Sequence, residues 1–123
     1  MSNELSIQDK LRIVQELVPG KQITIAHVIA NPDDILYRKL GLDPALDYNR
    51  SAIGIVTMSP SETAIIAGDI AIKSAGVELG FVDRFSGTLI VTGLVADVTA
   101  SLQSLVDYCK ETLGFTVCPI TKT

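Results

Sequence analysis

A chain of 123 residues, 47% hydrophobic and 20% charged, is one domain long enough to bury a core of its own. Its formal net charge of −4 argues against nucleic acid as the main partner, because phosphate binding needs clustered Lys and Arg, and no apolar run is long enough to span a bilayer. Aromatics make up only 5% and Trp is absent, so aliphatic residues and Ala form the core; a mean hydropathy of +0.37 fits either a tight aliphatic core or, as the low charge count favours, apolar surface that faces sister subunits.

Residues 1–10 are polar and read as a tail. They lack a basic start followed by an apolar block, so no secretory signal is expected and the predicted compartment is cytosolic. Cys109 and Cys118 are then expected to be free thiols, and their spacing matches no metal or redox motif. Leu11 to Val18 is ambiguous. Ile7, Leu11 and Val14 have helical spacing, whereas Leu11, Ile13 and Leu17 also fit a strand. Pro19 and Gly20 end this segment.

Gln22 to Ala30 alternates as a strand, with Ile23, Ile25, His27 and Ile29 on one face and Thr24, Ala26 and Val28 on the other. Asn31 and Pro32 predict a helix start with Asp33 and Asp34 in the first turn, and Gly41 its end. Leu42 to Arg50 is turn-rich and reads as a surface loop. Ala52 to Met58 is a buried strand. Ser59 is the expected cap of the next helix, with Pro60 in its first turn and Glu62 completing a capping box. That helix reaches about Ala75 and carries a small-residue side: Ala64, Ala67, Gly68, Ala71 and Ala75. Gly68 costs about 1 kcal/mol relative to Ala inside a helix, and close packing there is the expected offset.

Val77 to Gly93 is the most informative stretch. "VELGFV" and "TLIVTG" read as paired strands around a projecting "DRFSG" loop, in which Asp83 and Arg84 can neutralise each other. Asp97 is the expected cap of a last helix with an apolar stripe of Val98, Leu102, Leu105, Val106, Cys109 and Leu113. Gly114 ends it. Phe115 to Ile120 is the final predicted strand, and "TKT" a polar end. The predicted fold class is α/β, a small α+β sandwich with its helices layered on one sheet.

The catalytic inventory is thin. His27 is the single histidine; a lone ring among isoleucines on a strand reads as a hydrogen-bonded structural residue rather than a catalyst, because acid–base work needs a positioned partner. Asp33 and Asp34 have no accompanying ligand set for a metal. No serine or threonine sits in a nucleophile elbow, "VPGKQ" lacks the rest of a P-loop, and "GDIAIKSAG" has no dinucleotide fingerprint. Lys73 follows Asp69 by four residues on one helix, the spacing of an exposed ion pair. The residues predict a binding or assembly module with no catalytic, cofactor or metal site. A small-metabolite-binding regulatory α/β module is the alternative, and it would need a polar pocket at an interface.

Three segments carry a resemblance. "QELVPGKQITIAHVIANP", the block from Ala52 to Gly93 and the ending "TLGFTVCPITKT" resemble, in order, the circularly permuted single-domain shell proteins of bacterial microcompartments, those of ethanolamine, propanediol and choline utilisation above all. The strand resembling "ITIAHVIANP" comes last in ordinary shell proteins and near the start here, as in the permuted group. The resemblance implies a structural, non-enzymatic subunit in the microcompartment shell of a bacterial cytoplasm. It implies a cyclic homo-hexamer that tiles into a protein sheet beside other shell proteins, encloses metabolic enzymes and meets them through their targeting peptides. Neither nucleic acid nor membrane is an implied partner.

Carried onto this chain, the resemblance places Asp83, Arg84, Phe85, Ser86 and Gly87 around the sixfold axis, where repeated side chains set the polarity of a passage. It places Lys73 at the hexamer edge, where its flexible head can donate to a neighbour's carbonyls. It also makes residues 1–18 a tail and axial barrel strand, with Leu11, Ile13, Gln15 and Leu17 in the barrel, and residues 19–123 the permuted shell domain. Such a barrel would occlude one face of the passage. The loop from Asp43 to Arg50 and the tail of residues 1–10 are longer than the group's pattern.

Overall fold

Alternating apolar residues build a five-stranded sheet, and two longer amphipathic segments close one of its faces. The structure, a computed structural model, describes residues 20–41, 51–74 and 76–123. The expectations for the tail, for the barrel residues Leu11, Ile13, Gln15 and Leu17, for the 43–50 loop and for Ala75 fall outside these residues. The strands are β1 (Gln22–Ile29), β2 (Ala52–Ser59), β3 (Glu78–Asp83), β4 (Thr88–Gly93) and β5 (Thr121–Lys122). The helices are α1 (Asp34–Lys39), α2 (Thr63–Ser74) and α3 (Val95–Glu111). Sheet order is β3-β4-β2-β1-β5, antiparallel throughout except for the parallel β1/β5 pair.

The main core lies between the sheet and helices α2 and α3. Val28, Val56, Leu89 and Val91 point into it from the strands, and Ala64, Ala67, Ala71, Val98, Leu102 and Leu105 from the helices. The small-residue side of α2 therefore serves close packing, and the Ser101 hydroxyl donates to the Ala71 carbonyl at 2.9 Å in the fully buried seam between the helices. A Cβ on Gly54 would come within 2.7 Å of Val98 and 2.9 Å of Leu102, so α3 lies directly on the β2 backbone. Gly68 differs from expectation: a Cβ there meets Leu79 and Leu89 at an ordinary 3.6 Å.

A second, smaller cluster occupies the opposite face, where Tyr37 of α1 packs with Ile53 and Ile90. The Tyr37 hydroxyl donates to the Ser51 carbonyl and so pins α1 beside the start of β2. Burial, with Asp34 nearby, pushes its phenol above the ordinary value.

Four sequence expectations are corrected. A register shift between Ile23 and Ile25 sends Ile23 to the main core with Ala26 and Val28, so it does not share a face with Ile25, His27 and Ile29; a bulge inverts the alternation on one side of itself. Asp33, not Asn31, caps α1, accepting from the Ile35 N–H at 3.1 Å. Ser59 stays in the ladder opposite Gln22 and cannot cap α2, while the Ser61 hydroxyl donates to Glu62 at 3.3 Å. Asp97 lies in the first turn of α3, after an N-cap at Leu94 that makes no side-chain bond; the dipole still favours its charge there.

The C-terminal strand also begins later than predicted. Thr116 makes a single bridge to Gln22. Pro119 then has no N–H for a ladder, and pairing with β1 resumes only at Thr121. The Thr123 N–H donates to the Val28 carbonyl at 2.9 Å, and the Ala30 N–H to the Thr123 carbonyl at 2.8 Å.

Candidate functional site

The predicted projecting loop is present, joining β3 to β4. Its five residues form one small closed structure. The Gly87 N–H donates to the Asp83 carbonyl at 2.9 Å. The Asp83 carboxylate accepts from the Phe85 N–H at 2.8 Å and from the Ser86 hydroxyl at 2.9 Å. Those two bonds, the backbone one foremost, hold its carboxyl below the ordinary 3.8. Gly87 has φ +75° and is pressed against the Met58 carbonyl, so both its conformation and its lack of a side chain are required.

Asp83 and Arg84 do not form the direct pair that the sequence pointed to. Asp83 spends both oxygens inside the loop. The Arg84 guanidinium instead lies 4.9 Å from the centroid of the Phe85 ring, a cation–π arrangement. Phe85 is 80% exposed. Beside the tip an open cavity of about 310 Å³ is lined by Ile65, Val82, Asp83, Arg84 and Phe85. Ile65 was not singled out from the sequence. Its one signal there is its place off the small-residue side of α2, seven residues before Ile72.

Lys73 sits at the other end of α2 and does not join the tip. Its Nζ lies 2.8 Å from Asp69 Oδ2, with both side chains well exposed, and that hydrogen bond raises the ammonium pKa above the ordinary value. His27 is bound to the C-terminal strand. Nδ1 lies 2.5 Å from the Thr121 hydroxyl and Nε2 lies 2.9 Å from that of Thr123. In the neutral ring one nitrogen donates and the other accepts, so both are occupied by structure. Cys109 is buried, which pushes its thiol pKa up; Cys118 is half-buried. Among the described residues no group of three or more His, Cys, Asp or Glu could hold a metal ion, and no helix is long and apolar enough to cross a membrane.

The chemistry on the surface is thus a rigid hairpin tip, an apolar strip beside it and a lysine at a helix end. Residues 52–121, from β2 to the start of β5, match the BMC domain family. The shell protein PduU of Salmonella typhimurium is 52% identical over 112 residues, covering 91% of this chain and 93% of that protein.

The chain belongs to the BMC domain family of bacterial microcompartment shell proteins.

As a member of that family it is similar along nearly its whole length to EutS of Escherichia coli, at 49% identity over 93% of this chain and 98% of that one. A solved structure described as a CutR flat hexamer superposes with a TM-score of 0.78 at 47% identity, covering 86% of this chain and 94% of the other. A CutR screw form superposes with a TM-score of 0.77. The mixed α/β sheet with its helices is the BMC fold.

Proposed function

We propose that this protein is a structural subunit of a bacterial microcompartment shell, assembling as a cyclic hexamer that tiles into the shell around encapsulated enzymes. The observation that carries this reading is near-full-length similarity, at about half identity, to PduU and EutS, together with superposition on a single chain of a structure described as a CutR flat hexamer. The exposed apolar residues of β3 and α2 support it, because a lone protomer leaves Leu79, Phe81, Val82 and Ile65 in water.

In this reading the domain of residues 19–123 is the permuted tile, and residues 1–18 supply the axial barrel strand. The tips Asp83–Gly87 converge on the sixfold axis, where the rigid loop keeps six Arg84–Phe85 stacks in one arrangement. Lys73 lies at the hexamer edge. The protein works by excluding and enclosing, not by catalysis, and its place is the shell in the bacterial cytoplasm. The thin catalytic inventory and the hydroxyl-bound His27 support a non-enzymatic role. The similar proteins PduU, EutS and CutR are shell proteins of the propanediol, ethanolamine and choline kinds.

Size-exclusion chromatography with light scattering tests the assembly. A mass of six chains is expected at micromolar concentration. A clean monomer overturns the reading.

A further inference from the structure

We draw no further inference here: the strongest candidate, the surface patch around the exposed side chains of Ile25 and Phe81 on the sheet face that carries α1, carries nothing because nothing in the structure shows what covers it.

Discussion

The Met58 N–H donates to the Gly87 carbonyl at 2.9 Å, tying the hairpin tip to the last part of β2. The tip is therefore an extension of the β2/β4 ladder, and Gly87 holds φ +75° with no room for a Cβ against the Met58 carbonyl. Gly87→Ala must adopt a left-handed conformation and push two backbones apart. We expect a loss of about 2–4 kcal/mol in urea unfolding. A loss under about 0.5 kcal/mol would show that the tip is not held as described.

Asp83 makes the same tip pH-dependent. Its folded pKa lies below the ordinary 3.8 because the Phe85 N–H and the Ser86 hydroxyl favour the charged form. A depressed folded pKa adds stability above the unfolded pKa, and that stability is lost as pH falls through the folded pKa. Asp83→Asn should thus be less stable than wild type at pH 7, with the gap closing once pH drops below 3.8. Parallel thermal melts across that range check it. A gap that is constant with pH would remove the charge from the account.

Two glycines make opposite predictions for one substitution. Gly54→Ala forces a methyl to within 2.7 Å of Val98 and should cost about 1–3 kcal/mol through overpacking. Gly68→Ala places its methyl in ordinary contact at 3.6 Å and should stabilise by up to about 1 kcal/mol through helix propensity. Chemical denaturation of both variants decides this. Destabilisation by Gly68→Ala would mean that α2 needs the closer approach after all.

His27 is predicted to be a fastening between β1 and the C-terminal residues of the edge strand beside it. His27→Ala removes both threonine contacts and should cost about 1–2 kcal/mol. Hydrogen exchange should rise at the Thr123 and Ala30 amides, which hold β5 to β1, and stay unchanged in the β2/β4 ladder. Unchanged exchange at Thr123 would argue against the fastening.

What the sequence made legible was periodic. The hairpin at Val77–Gly93 and the stripe of α3 show because apolar spacing and a polar, glycine-bearing turn report on local geometry. Errors fell where a single non-periodic event intervened. A bulge between Ile23 and Ile25 reassigned a face, Pro119 postponed the last strand, and a ladder partner kept Ser59 from capping. At the tip, Asp83–Gly87 could be read because its residues are consecutive. The partners of His27 could not, being 94 and 96 residues away. Nor could the cavity at Ile65, since the approach of α2 to β3 exists only in the folded chain.

Lys73 supplies the last prediction, and it separates ring from tile. Its ammonium is well exposed and, among the described residues, is paired with Asp69 of its own helix, so Lys73→Ala removes nothing that the protomer's core depends on. If the lysine acts between hexamers, donating to carbonyls of the adjoining tile, the variant should remain hexameric in light scattering while electron microscopy shows its sheets lost or sparse. Asp69→Asn should behave differently. It releases the lysine head from its own helix without discharging it, so sheets should persist. Extended sheets from Lys73→Ala would place the tile-to-tile contact elsewhere on the hexamer rim.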